Sequence, residues 1–185
     1  MTSVAGAEAA RVIDTSRTQL AVDVGGASGY LMHDLMQANP KLRGIVFDLP
    51  HVTPDAEATA ARLGLSDRLE AVAGNFFASV PGNGDLYLLR YVLHDWDDDS
   101  CVRILANCRQ EMRPGARVLV LEMILGPIGR EPVVVPSQDL NMMTVLGGRE
   151  RTVDQFDKMF AAAGLRRTAV TPTESPMSVI EAIAA

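Results

Sequence analysis

The run LAVDVGGASGYLMHDLMQ, from Leu20 to Gln37, changes character in its middle. Leu20–Val24 is a short aliphatic stretch that reads as a strand, and Tyr30–Gln37 carries apolar residues at helical spacing before Asn39-Pro40 closes it. Between them Gly25, Gly26 and Gly29 allow a tight turn and a close approach of the backbone to a ligand. The rest of the chain repeats this alternation. Gly44–Leu49 reads as a strand, Pro54–Leu63 as an Ala-rich helix ended by Gly64, and Leu69–Ala73 as a third strand. Asp85–Leu93 is a nearly continuous apolar run of the kind that fills a fully buried parallel strand.

Asp97–Met112 follows as a helix, opened by three aspartates that suit the positive helix N-terminus and closed by Pro114-Gly115. Ala116–Glu122 is the next buried strand. Gly126–Pro136 reads as a Pro- and Gly-rich loop, Gln138–Leu146 as a Met-rich helix, and Thr152–Ala163 as a helix stopped by Gly164. Two strands near Leu165–Thr171 and Met177–Ile183 end the chain. Strands alternating with helices predict a mostly parallel sheet covered on both faces, with its ligand at the carboxyl ends of the strands.

Composition narrows the function classes. With 185 residues, 48% of them hydrophobic, the chain is the size of one ordinary domain and needs no staple to form a core. The net charge is −6 and no Lys/Arg run occurs, so neither nucleic acid nor an anionic membrane surface has its electrostatic footprint. No 18 apolar residues run on together, and the N-terminus lacks a basic segment followed by an apolar one, so neither membrane spanning nor export is expected. Cys101 and Cys108, two turns apart on one helix, read as reduced thiols in or near the core, which suits the cytoplasm. The aspartates 97–99 read as helix-start acids satisfied by dipole and solvent, so no metal is expected. His33 and His51 receive a helix-surface and a helix-start reading.

The chemistry concentrates in four places. A G-x-G-x-x-G fingerprint would need glycine at Ala27 and Tyr30, which argues against a nicotinamide dinucleotide. Asp48 ends the second strand, where a carboxylate can take both ribose hydroxyls of an adenosine. His94 follows the buried strand in RYVLHDWDD, where a side chain with an ordinary pKa near 6.5 suits proton abstraction. Glu122, at the end of the next strand, and Glu150, opening the helix after Gly147-Gly148, are carboxylates able to fix its tautomer.

The spacing Asp23-x-Gly25-x-Ala27-x-Gly29 resembles the acidic-x-G-x-G-x-G loop of S-adenosylmethionine-dependent methyltransferases. The ordered set DVGGASG, VFDLPHV, GNFF, LLRYVLHDWDD, VLEMIL and GGRERT resembles the catalytic domain of the plant caffeate and bacterial antibiotic type of small-molecule O-methyltransferases, from about Leu20 to the end. That resemblance implies an α/β, Rossmann-like doubly wound sheet of about seven mostly parallel strands, with one antiparallel strand near the end. It implies S-adenosyl-L-methionine as cofactor, a hydroxylated aromatic small molecule as acceptor, and secondary metabolism as setting. Gly25 would lie against the cofactor, Asp48 would hold the ribose, Asn75 and Phe76 would border the adenine, and Arg90 would sit near the methionine end. His94 would be the general base flanked by Glu122 and Glu150, and Asp139 and Met142 would belong to the helix lining the acceptor pocket.

Three departures accompany the resemblance. Asn75 stands where an aspartate is common, Arg90 where a lysine is usual, and Ala27 in a glycine slot. A fourth is larger: the family carries an N-terminal, mostly helical dimerisation domain, and here only about 20 residues precede the first strand. On this reading residues 1–185 are a single catalytic domain, either excised, truncated or completed by a partner domain or a second copy. The alternative reading is a methyltransferase-like binding module that is non-catalytic or depends on a partner.

Overall fold

The computed structural model describes residue 8, residues 10–126 and residues 148–185. Its strands are β1 (Leu20–Val24), β2 (Arg43–Asp48), β3 (Leu69–Ala73), β4 (Leu86–Arg90), β5 (Arg117–Met123), β6 (Leu165–Pro172) and β7 (Met177–Ala184). Its helices are α1 (Tyr30–Ala38), α2 (Thr53–Arg62), α3 (Asp98–Glu111) and α4 (Val153–Ala162). The seven strands form one sheet in the order β3-β2-β1-β4-β5-β7-β6. The first five pair in parallel, whereas β7 runs antiparallel to both β5 and β6. The expected doubly wound sheet with one antiparallel strand is the sheet observed.

Period-two alternation along each strand divides the core between two faces. Tyr87 and Leu89 of β4, with Val118 and Val120 of β5, pack with Ile104 and Leu105 of α3 and Phe156 and Phe160 of α4. Leu86, Leu88, Leu119 and Leu121 point the other way, onto Leu31, Leu35 and Met36 of α1 and Ala56 and Ala60 of α2. Because both faces are covered, β4 and β5 are apolar at nearly every position, and their central residues are fully buried. Cys101 and Cys108 are free, buried on α3, and burial pushes both thiols up to about 12. No helix among the described residues is long and apolar enough to cross a membrane.

The strand order reverses between β1 and β4, so the chain segments leaving these strands flank one crevice at the carboxyl edge. Here one expected boundary moves. The apolar run of residues 85–93 is not one strand: β4 stops at Arg90, Tyr91 takes a left-handed φ of 53°, and Leu93–Asp95 form a single 3-10 turn. Tyr91 N–H still reaches Leu121 O at 3.2 Å, but the next three N–H groups turn toward the Glu122 carboxylate instead of the ladder. The expected loop over residues 126–136 and the helix over residues 138–146 lie almost wholly outside the described residues, and Asp139 and Met142 with them.

Candidate active site

At the end of β1 the backbone itself forms the surface. Gly25 has φ 72° and donates its N–H to Phe47 O at 2.8 Å, while Gly29, at φ 75°, begins α1. A Cβ on Gly25 would stand 2.8 Å from Val92 Cγ2, so only glycine leaves that gap open. Ala27 also adopts a left-handed φ, 48°, in the slot where its methyl is disfavoured. Its N–H donates to Asp48 Oδ2 at 2.9 Å, and Asp48 Oδ1 accepts from Leu49 N–H at 2.7 Å. Asp48 thereby ties the loops leaving β1 and β2 together, and each of its oxygens keeps a lone pair for a ligand.

Below this loop Asp23 is buried, which pushes its carboxyl up to about 7; the positive charge of Arg90 draws it down and Asp48 pushes it up. Asn75 is exposed and commits its side-chain oxygen to Phe77 N–H at 2.9 Å. Phe76 packs edge-on against Phe77 and Trp96, with ring centroids 4.9 and 6.1 Å away, and Asn107 fixes its carbonyl at 2.7 Å. Gly25, Asp48, Asn75, Phe76 and Arg90 therefore all lie on loops or strand ends at the carboxyl edge of β1, β2, β3 and β4.

Across the crevice the site is made of buried charge. His94 Nδ1 lies 3.1 Å from Glu150 Oε1 and 3.7 Å from Glu122 Oε2, while Nε2 lies 3.4 Å from Asp95 Oδ1. An ionised carboxylate only accepts, so Glu150, nearer to the ring at 3.1 Å, favours a proton on Nδ1 and a lone pair on Nε2, against the weaker pull of Asp95 on Nε2 at 3.4 Å. The two glutamates, expected as equivalent flanking acids, differ in what they hold. Glu150 addresses the ring, whereas Glu122 Oε1 accepts the N–H groups of Val92, Leu93 and His94 at 3.1, 3.0 and 3.4 Å. Glu150 also sits earlier than expected: it precedes α4, which starts at Val153 behind a Thr152–Gln155 capping box.

Burial of the His94 ring works against its charge, yet the hydrogen bond to Glu150 and the charges of Glu122, Glu150 and Asp95 raise its pKa overall. Burial pushes Glu122 up to about 7, opposed by His94 and reinforced by Glu150. One atom from each of His94, Glu122 and Glu150 lies within 4.8 Å of the others, the closeness a metal site needs. In the arrangement present, His94 Nδ1 meets Glu150 Oε1 and backbone N–H groups occupy Glu122 Oε1, while Glu122 Oε2 is buried with no hydrogen-bond partner among the described residues.

Four features of the site were not foreseen from the sequence. Arg151, in the GGRERT motif, is 1% exposed and donates to Leu93 O, Trp96 O and Arg149 O while pairing with Asp98. Asp98, expected to rest on solvent and dipole, forms ion pairs with Arg149 and Arg151; Asp97 alone acts as the helix cap, accepting from Ser100 N–H at 2.8 Å. His33, expected on a helix surface, is 2% exposed beneath Gly29, because α1 buries five of its nine residues. Asp23 was read only as the acid of the glycine-loop spacing, and its burial, one residue before the end of β1, was not anticipated.

A family model described as an O-methyltransferase domain matches residues 1–166. The chain is 41% identical over 169 residues to the phenazine O-methyltransferase PhzM of Lysobacter antibioticus, covering 91% of this chain and 49% of that protein. It superposes on the mitomycin 7-O-methyltransferase MmcR with a TM-score of 0.96 at 34% identity, covering all of this chain and 54% of the other. It also superposes on NcsB1 from neocarzinostatin biosynthesis, solved with S-adenosylmethionine and 2-hydroxy-5-methyl naphthoic acid, with a TM-score of 0.88 at 37% identity over 96% of this chain and 52% of that one. The chain spans about half the length of the curated relatives it matches.

Proposed function

The chain belongs to the O-methyltransferase domain family, and from that premise we propose that it transfers a methyl group from S-adenosyl-L-methionine to a hydroxyl of an aromatic small molecule, with His94 as general base. The hydrogen bond between His94 Nδ1 and Glu150 carries this reading, because it leaves Nε2 as the proton acceptor. When bound, the cofactor supplies an electrophilic methyl on a sulfonium. The residues present fit it. The glycine loop leaves a gap that a Cβ at Gly25 would close, and Asp48 retains acceptor capacity for two ribose hydroxyls. Asn75 and Phe76 border the adenine in this reading, and Arg90 stands toward the methionine end. Asn75 accepts from the adenine amine with neutral strength only, since an amide oxygen carries no charge, and it does so through the lone pair that Phe77 N–H leaves open.

His94 Nε2 takes the hydroxyl proton as the acceptor oxygen forms its bond to the methyl carbon and the carbon–sulfur bond breaks. The proton then passes to solvent. Glu150 keeps the ring in the required tautomer, and Glu122 holds the backbone of its turn. General-base help is worth about 10²–10⁴-fold, whereas alignment of the reactants lowers the barrier by roughly 7–11 kcal/mol, so positioning contributes more. Support for an aromatic acceptor comes from relatives named for phenazine and mitomycin substrates, and Asp139 and Met142 stand as the acceptor-lining candidates. The free thiols fit a cytoplasmic setting, and a second copy or partner domain completing the acceptor pocket fits relatives twice as long. Incubation with methyl-labelled cofactor and a panel of hydroxylated naphthoates and phenazines, read by mass spectrometry, tests this: label in the product with wild type and not with His94→Ala supports it, and equal transfer by both refutes the base assignment.

A further inference from the structure

Arg151 is among the largest fully buried side chains of the molecule, yet it is charged. A guanidinium is stable out of water only when its charge is paired and its donors are used. Here Nε reaches Asp98 Oδ1 at 2.9 Å, Nη1 reaches Leu93 O at 2.9 Å and Arg149 O at 3.2 Å, and Nη2 reaches Trp96 O at 2.6 Å. Leu93 and Trp96 bracket His94 in the chain. The Cys101 thiol of α3 donates to the same two carbonyls at 3.1 and 3.6 Å. The opposite, N–H side of this turn is gripped by Glu122. The turn is therefore held with anion at its N–H groups and cation at its C=O groups, the polarity its peptide dipoles favour.

The segment that carries Arg151 pairs with the chain leaving β5, where Leu125 N–H donates to Arg151 O at 2.9 Å. Its Gly148 is pressed so tightly on the backbone of His94 and Asp95 that a Cβ there would collide with the His94 carbonyl. Glu150 and Arg151 are adjacent, so one short segment supplies both the partner of the imidazole and the clamp on its backbone.

We propose that Arg151 is a positioning residue for His94: by tying the Leu93 and Trp96 carbonyls to Asp98, it fixes the distance from Nδ1 to Glu150 and hence the direction in which Nε2 faces. The activity arm of this inference rests on the methyl-transfer reading above; its spectroscopic arm does not. Misplacement of a reacting group by about 1 Å can cost about 10²-fold in rate, so a loosened clamp acts on turnover rather than on the distant cofactor loop.

The test compares Arg151→Lys and Asp98→Asn with wild type in the full 185-residue chain. Lysine keeps the charge but, as a point donor, does not span both carbonyls and Asp98. Nitrogen-resolved NMR of His94 gives its tautomer and titration midpoint, and calorimetry gives affinity for S-adenosylhomocysteine. In Arg151→Lys the His94 midpoint falls toward its ordinary value and the Nδ1–H tautomer is no longer dominant, while affinity stays within about twofold. Turnover falls about 10- to 100-fold with the acceptor KM little changed. Asp98→Asn, at a partly exposed site, gives a smaller shift in the same direction. A folded Arg151→Lys chain with unaltered His94 tautomer and midpoint overturns the proposal. If that variant does not fold, an unshifted His94 in Asp98→Asn overturns it. Absence of methyl transfer by wild type would refute the functional reading while leaving the His94 titration as the test of the clamp.

Discussion

The two sides of the crevice, the loops after β1 and β2 and the turn after β4, are held in place by different physical means. On the first side, backbone conformation makes the surface: glycines at φ 72° and 75°, and one carboxylate, Asp48, joining neighbouring loops through N–H groups. On the second side a three-residue turn is gripped by buried charges drawn from two other segments, Glu122 of β5 and the adjacent Glu150 and Arg151 ahead of α4. The first arrangement keeps polar groups available to a ligand. The second uses low polarity to strengthen its hydrogen bonds and to set protonation, at the cost of burying charges that must all be paired. A backbone cradle suits binding, and a buried charge cluster suits proton transfer.

If the division is real, substitutions on one side leave the readout of the other unchanged. The largest effect is expected for His94→Ala, which lowers turnover by about 10²–10⁴-fold while S-adenosylhomocysteine affinity, measured by calorimetry, stays within about twofold. Parallel loss of both would merge the two regions into one. Next comes Asp48→Ala, which removes hydrogen bonds to a charged acceptor worth about 1.5–3 kcal/mol each and weakens cofactor binding by roughly one to two decades, with the His94 titration unmoved.

A pH profile sharpens the comparison further. Because the neighbouring carboxylates raise the His94 pKa above 6.5, the unprotonated base is lost as pH falls, and turnover declines on an acid limb whose midpoint lies above 6.5. Glu150→Gln removes that negative partner, so the limb moves to lower pH even as its height drops. The corresponding stability term has the opposite sense: a raised histidine pKa stabilises fully below its unfolded value and loses that contribution as pH rises through the folded value. The smallest effect belongs to Ala27→Gly. Relief of a left-handed alanine, about 1 kcal/mol, is nearly offset by the greater unfolded-state freedom of glycine, about 0.5–1 kcal/mol, so urea unfolding shifts by less than about 0.5 kcal/mol.

The same contrast explains what could be read from the chain alone. The cradle is built from contiguous residues, so the strand at Leu20–Val24, the loop after it and Asp48 were all visible as local patterns, and the observed β1 has those bounds. The charge cluster joins residues 28 to 58 positions apart, and local pattern carries little about such contacts. His94, Glu122 and Glu150 were named from their places after buried strands and a glycine pair, and the family resemblance then gave them the roles of base and flanking acids. Their division of labour was not, since it depends on which carboxylate oxygen meets a ring and which meets a backbone. Arg151 escaped altogether: an arginine beside Glu150 in a polar stretch reads as surface, and only the turn it clamps makes it buried. The break in the apolar run of residues 85–93 was hidden for the same reason, because the sheet ends where Glu122 captures the next three N–H groups, not where apolar residues stop.

The claim on which the rest depends is that the cradle after β1 and β2 holds an adenosyl cofactor, and calorimetric titration of the 185-residue chain with S-adenosylhomocysteine tests it most directly, with NAD in parallel. The account predicts one-to-one binding of S-adenosylhomocysteine at about micromolar affinity or tighter, none of NAD, and loss of most of that affinity in Asp48→Ala. A demonstrably folded chain that binds neither compound, or that binds NAD, would contradict it.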